Sequence, residues 1–88
     1  MTGALVLVGK PGCHLCERMR EVAEPVAVEL GLVIEDRDLR LDPELEALYQ
    51  NDIPVLLLDG REVARHRVTA PDLRARLCEM AVGRAERG

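Results

Sequence analysis

Ala4-Leu5-Val6-Leu7-Val8-Gly9-Lys10-Pro11-Gly12-Cys13-His14-Leu15-Cys16 is the stretch on which the reading of this chain turns. A short apolar run bounded by glycine has the form of a buried strand. Gly9 to Gly12 then make a turn, and a helical pattern starts directly after it. Two cysteines separated by two residues on a first helical turn can close a small disulfide ring. The first, Cys13, would stand at the helix N-terminus, where unpaired backbone N–H groups and the helix dipole favour an anion. The thiolate is the reactive form of cysteine, so that position makes a thiol nucleophilic at neutral pH. Strand, turn, Cys-x-x-Cys and helix, in that order, read as thiol–disulfide chemistry. Half of a metal site is the alternative that the two cysteines alone leave open.

Composition narrows the classes. With 88 residues and 48% apolar content the chain makes one small domain with one modest core, and three cysteines are too few for a disulfide scaffold. The net charge of −4 is spread with both signs interspersed, and no Lys/Arg block points to nucleic acid or to a membrane surface. Tyr49 is the single aromatic residue, so there is no platform on which bases could stack. Uninterrupted apolar runs reach about five residues, far short of a membrane span. Met1 to Val8 lacks the basic start and the cleavage site of a secretory signal. The expectation is therefore a cytoplasmic monomer with no nucleic-acid or membrane partner. In a reducing cytoplasm a Cys-x-x-Cys is more often catalytic than structural.

The periodicity predicts an alternation of elements. Ala4 to Val8 is the first strand. Leu15, Met19, Val22, Ala23, Val26 and Leu30 recur at helical spacing over His14 to Leu30, with Gly31 as the C-terminal cap and Pro25 as an interruption expected to kink the helix. Leu32 to Leu39 reads as a second strand. Asp42-Pro43-Glu44 is a helix start, with Asp42 as N-cap and Pro43 in the first turn; Leu45, Leu48 and Tyr49 supply its apolar face. Val55 to Leu58 is a third strand, Asp59-Gly60 a tight hairpin turn, and Glu62 to His66 a fourth strand. Thr69 to Asp72 is a capping box for a last helix with Leu73, Leu77, Met80 and Ala81 on one face. The order β-α-β-α-β-β-α implies parallel first and second strands joined by a helical crossover, and an antiparallel closing hairpin. A four-stranded mixed α/β sheet with helices on both faces follows.

In Lys10 through Cys16, in Tyr49 through Asp52-Ile53-Pro54-Val55, in Asp59-Gly60 and in its element order, the chain resembles the thioredoxin superfamily, most closely the short bacterial glutaredoxin-like proteins. The resemblance spans roughly residues 3–81. A Cys-x-x-Cys followed some forty residues later by an Ile-Pro-Val that opens a strand before a hairpin is far more specific than the cysteine pair alone. The resemblance implies a thioredoxin-like (glutaredoxin-type) sheet of strand order 2-1-3-4 over residues 1–81; from its terminal position, 82–88 reads as a frayed tail. It also implies a cis peptide between Ile53 and Pro54 facing Cys13. The backbone of Ile53 is then free to pair with an extended substrate peptide or with glutathione, and Pro54 supplies the shape.

The activity implied is that of a dithiol–disulfide oxidoreductase. Cys13 attacks a disulfide sulfur, Cys16 resolves the mixed disulfide, and an external reductant restores the pair. The substrates are disulfide-bearing proteins or small-molecule thiols, with glutathione a candidate co-substrate. No metal or organic cofactor is called for, since the redox group is the Cys13–Cys16 disulfide itself. Lys10, the only lysine, could favour the thiolate and hold an anionic partner, or be a solvated turn residue. His14 could assist Cys13 when protonated, or simply face solvent. His66 reads as an exposed polar residue of the edge hairpin. Cys78, at the flank of the last helix's apolar stripe, reads as a small semi-buried filler.

The chain departs from the pattern it resembles in three places. It has no tryptophan before the first cysteine, no proline or aromatic between the two, and no double glycine opening the last helix. Arg67-Val68-Thr69-Ala70-Pro71-Asp72 stands there instead, where Thr69 and the helical N–H groups could receive a carboxylate. A small Cu(I) carrier is the rival from another class, because two thiolates suit a soft metal. Such carriers have the order βαββαβ, a Met-x-Cys lead-in and no Ile-Pro-Val. A zinc site would need further ligands, and His14, His66 and Cys78 are badly spaced for it. A redox-inactive binding module on the same fold is the third reading.

Overall fold

The structure is a computed structural model that describes the backbone of residues 3–87 and the side chains of residues 3–80. Its elements are β1 (Ala4–Gly9), α1 (His14–Leu30), β2 (Val33–Asp38), a 3-10 turn (Leu39–Leu41), α2 (Pro43–Tyr49), β3 (Val55–Leu58), β4 (Arg61–Arg65) and α3 (Ala70–Arg87). The sheet has four strands in the order β2-β1-β3-β4, with β1 parallel to β2 and antiparallel to β3, and β3 antiparallel to β4. This is the thioredoxin-like arrangement, and its β-α-β-α-β-β-α order is not that of the βαββαβ carriers.

Strand alternation divides the core between the two faces of the sheet. Leu5 and Leu7 of β1 and Leu56 and Leu58 of β3 face α1 and α3, where Met19, Ala23, Val26, Leu73 and Leu77 meet them. Val8, Val55 and Leu57 point to the other face and pack with Leu39, Leu45 and Tyr49. The central strands are therefore apolar on both sides, whereas β2 forms an edge and carries charge.

The ends of α1 have local causes. Cys13 is its N-cap, with extended backbone at φ −90° and ψ 109°. Gly31 closes it in the left-handed conformation, φ 72°, while the N–H of Leu32 reaches back to the carbonyl of Ala27 at 2.8 Å. With the N–H of Gly31 donating to the carbonyl of Val28 at 3.3 Å, the two bonds form a Schellman cap, which a glycine adopts without steric cost. The helix continues through Pro25, whose side chain lies on the exposed side. At α2, Asp42 Oδ1 accepts from the N–H groups of Glu44 and Leu45 at 3.1 and 3.2 Å.

Several expectations are corrected. Leu39 leaves β2 to begin the 3-10 turn, so the second strand ends at Asp38. β4 is Arg61–Arg65 and His66 lies outside it, at φ 63°. The β3–β4 register jumps from Leu56↔Ala64 to Leu57↔Glu62, a bulge that leaves Val63 as the extra residue and lets Val63 and Ala64 both be buried. Leu48 does not join the apolar face of α2; it is 65% exposed, because the short helix meets the sheet through Leu45 and Tyr49 only. Cys78 is exposed, not a semi-buried filler. The side chain of Ala81 and the side chains of the expected tail, 82–88, lie outside the described residues.

Candidate active site

The site is built where β1 hands over to α1. β1 ends at Gly9 under the sheet's apolar centre, and Gly12, at φ 76°, turns the chain into the helix. Cys13 then occupies the N-cap, the position at which a side chain meets the helix's unpaired N–H groups. Its Sγ accepts from the backbone N–H of Cys16 at 3.2 Å, and its carbonyl takes the first helical bond from Glu17 at 3.1 Å. The geometry thus aims a backbone donor and the positive end of α1 at the Cys13 sulfur, both of which favour a thiolate there.

Cys16 lies one turn on and differs in surroundings. The two Cα atoms are 5.2 Å apart and the sulfurs are at bonding distance, as a disulfide. Cys13 is half-buried, whereas Cys16 is 8% exposed. The sulfur of Cys16 is pressed against β1: a Cβ placed on Gly9 would come within 2.8 Å of it. Only a glycine leaves that room. Pro54 opens β3 one step beyond the last β1–β3 pair, Val8↔Val55, which sets it beside Gly9. The Ile53–Pro54 peptide is cis; Pro54 is buried and Ile53 half-buried. The carbonyl of Pro54 accepts from the N–H of His66 at 2.8 Å, which ties the proline turn to the end of β4.

Residues 4–78 match the glutaredoxin-like domain (DUF836). The chain belongs to this family, which lies within the thioredoxin superfamily. It is similar to uncharacterized proteins of Mycobacterium bovis and Mycobacterium tuberculosis, each 32% identical over 82 residues that cover 88% of this chain and 84% of the relative. Among solved structures it is similar to one described as "Structure of a malarial protein", with a TM-score of 0.65, 18% identity, and coverage of 86% of this chain and 93% of the other. That likeness concerns the fold.

Two clefts lie along α1 of this glutaredoxin-like chain, and of the two only the first is lined by the disulfide. One, of about 280 Å³, lies on the β2 side and is walled by the Gly9–Gly12 turn, both cysteines, Arg20 and Asp36–Asp38. The other, of about 470 Å³, lies on the α3 side, between Leu15, Arg18, Met19 and Val22 of α1 and the segment His66–Thr69 with Asp72. Lys10 is exposed on the first cleft. The side chain of His14 is 94% exposed, with Nδ1 at 3.8 Å from a carboxylate oxygen of Glu17, and it lines neither cleft. Ile53 and Pro54 line neither cleft either; they approach the second through the His66 bond.

Charge around the site is arranged in local pairs. Asp38 accepts from Arg40, and that bond holds its carboxyl below the ordinary value of 3.8. Near the proline turn, Asp52 lies 3.2 Å from Arg65 and 3.7 Å from His66. Glu62 is held below its ordinary 4.5 by its hydrogen bond to Arg65. Sequence reasoning missed Gly9, Arg18, Arg20, Asp36 and Arg67 as neighbours of the site. The one signal for Arg20 was its spacing, four residues after Cys16 and so on the same helix face. Among the described residues no group of three or more His, Cys, Asp or Glu side chains is gathered that could hold a metal ion. No helix among them is long and apolar enough to cross a membrane.

Proposed function

We propose that this glutaredoxin-like chain is a cytoplasmic, monomeric thiol–disulfide oxidoreductase in which Cys13 is the nucleophile and Cys16 the resolving thiol. The observation that carries the reading is the asymmetry of the pair. Cys13 sits at the helix N-cap, half-exposed and facing a backbone donor, while Cys16 is buried one turn behind it. In the first step the Cys13 thiolate attacks one sulfur of a substrate disulfide. The substrate S–S bond breaks, a Cys13–S bond forms, and the departing thiolate takes up a proton. The Cys16 thiolate then attacks Cys13 Sγ, closing the Cys13–Cys16 disulfide and releasing the second substrate thiol. Two electrons pass to the substrate, and an external thiol reductant returns them.

The α3-side cleft supports a small anionic thiol as co-substrate. Its floor is apolar, through Leu15, Met19, Val22 and Val68, and Arg18 and Arg67 line it beside the N-terminus of α3. Glutathione has that chemistry: a thiol flanked by two carboxylates. Thr69 Oγ1 already accepts from the N–H of Asp72 at 3.3 Å and Pro71 has no N–H, so the N–H of Ala70 is what a carboxylate would meet in that turn. On this reading Ile53 offers its backbone to the substrate, the cis bond at Pro54 shapes the turn beside Gly9, Lys10 attracts an anionic partner and His14 stands in solvent beside Cys13.

The test is a pair of variants assayed on a small disulfide and on a glutathionylated thiol. Cys13→Ser abolishes both activities. Cys16→Ser still forms the first mixed disulfide and accumulates it as a covalent adduct on Cys13, visible by intact mass. Full activity in Cys13→Ser, or no adduct in Cys16→Ser, would overturn the assignment.

A further inference from the structure

The β2-side cleft opens at the carboxyl ends of the parallel pair β1–β2, where open α/β sheets place polar groups and ligands. Arg20 stands on α1 one turn beyond Cys16, on the same helix face. Its Nη1 donates to both carboxylate oxygens of Asp36 at 2.5 Å, and its Nε lies 3.9 Å from Glu24. The register sets Asp36 beside Leu7, whose side chain faces α1, and sets Asp38 beside Gly9, against which the Cys16 sulfur packs. The ion pair therefore bridges the helix and the sheet that enclose the buried sulfur.

We propose that the Arg20–Asp36 pair poises the acidity of the resolving thiol Cys16, with Arg20 as the cation and Asp36 as the positioning residue that holds it and offsets its charge. The inference rests on the reading of Cys16 as resolving thiol. Attack on the mixed disulfide needs Cys16 as thiolate, and burial disfavours the charged form. A guanidinium one turn away opposes that penalty, and a carboxylate bound to it limits the effect. Lys10, Glu17, Arg37 and Asp38 line the same cleft; Arg37 is paired with Glu35 and Asp38 with Arg40. Those groups form a constant background when only the pair is changed.

The consequence is a pair of shifts of opposite sign. Asp36→Asn leaves Arg20 with only its longer contact to Glu24, at 3.9 Å, and lowers the Cys16 pKa. Arg20→Met leaves the Asp36 charge uncompensated and raises it. Across a half-exposed cleft each shift should be about 0.5–1 unit, or about threefold to tenfold in thiolate fraction at fixed pH. A role in stability alone gives no such reversal.

The measurement uses a Cys13→Ser, Cys78→Ser background, which leaves Cys16 as the only thiol, and follows its alkylation by iodoacetamide against pH. The expected midpoints fall in the order Asp36→Asn, parent, Arg20→Met, with the double variant back near the parent and Arg20→Lys close to it. Raised salt should shrink both shifts. Shifts of the same sign, or none in variants that keep the native circular dichroism, would overturn the proposal. If Arg20→Met does not fold, Asp36→Asn must lower the midpoint while Asp36→Glu leaves it near the parent; any other pattern refutes it. The titration involves no substrate, so it can fail while the mixed-disulfide adduct still forms, and the reverse holds too.

Discussion

Replacing Gly9 by alanine should destabilise the oxidised protein more than the reduced one. Gly9 is the last residue of β1, and a Cβ there meets Cys16 Sγ at 2.8 Å and Cys16 Cβ at 3.2 Å. Forcing an extra methyl into a packed site costs about 1–3 kcal/mol. Stiffening the unfolded chain by Gly→Ala returns about 0.4–1 kcal/mol. The clash wins in the oxidised state, because Cys16 Sγ is tethered to Cys13 and cannot rotate away, and the net cost is about 1–2 kcal/mol. In the reduced state the thiol can turn to another staggered position, and only the milder Cβ contact remains. A difference of about 1 kcal/mol between the states raises the reduction potential by about 20 mV, since 30 mV corresponds to about 1.4 kcal/mol for this couple. The sign follows from the disulfide form being the one destabilised: the dithiol is favoured and the potential becomes less negative. For a domain of this size each kcal/mol moves the Tm by about 4–8 °C. The assays are thermal unfolding of both redox states and a redox titration against dithiothreitol, each compared with the parent. An equal loss of Tm in the two states, with an unchanged potential, would refute the reasoning.

Asp42→Ala removes an acceptor that serves two N–H groups of α2, at 3.1 and 3.2 Å, and should lower stability by about 1 kcal/mol while leaving the thiol chemistry intact; a Tm unchanged within a degree would contradict the cap. Asp38 and Glu62 have folded-state pKa values held down by hydrogen bonds to Arg40 and Arg65, so their contribution is present above the ordinary carboxylate range and is lost as pH falls through the depressed folded values. Denaturant titrations below about pH 4 should therefore show a modest fall in unfolding free energy, modest because both groups sit near solvent; a rise on acidification would refute the assignment.

Elements whose signals are local could be read from the chain. The limits of α1 follow from the cysteine at its N-cap and from Gly31, which alone accepts the left-handed closure without cost. Strands β1 and β3 are legible as short apolar runs because both of their faces are covered. Where packing decides, the pattern misled. Glu62-Val63-Ala64-Arg65 carries no mark of the bulge, which exists because Val63 and Ala64 both find room in one core. Leu39-Arg40-Leu41 has neither helical nor strand period, so the 3-10 turn that buries Leu39 beside Val55 was invisible. Cys78 follows Leu77 on α3, yet the side of α3 that meets the core carries Leu73 and Leu77, with Ala70 and Met80 packed partly against it, and one residue further round is already solvent.

The chemistry divides in the same way. That Cys13 would meet a helix N-terminus is a matter of neighbours in the chain, and the sequence carries it. What surrounds Cys16 is set by sheet register. Gly9 comes from the strand before, and Asp36 from a parallel strand that only the α1 crossover brings alongside. The two thiols are one helical turn apart, yet one looks out along the helix axis and the other down onto the sheet. A reaction that needs an accessible attacking sulfur and a withheld resolving one can take that difference from the turn itself. The residues beneath Cys16 bear first on the second sulfur: of the two cysteines, only Cys16 lies within reach of a Cβ placed on Gly9. Changes at Gly9, Arg20 or Asp36 should accordingly alter how fast a mixed disulfide is resolved more than how fast it forms.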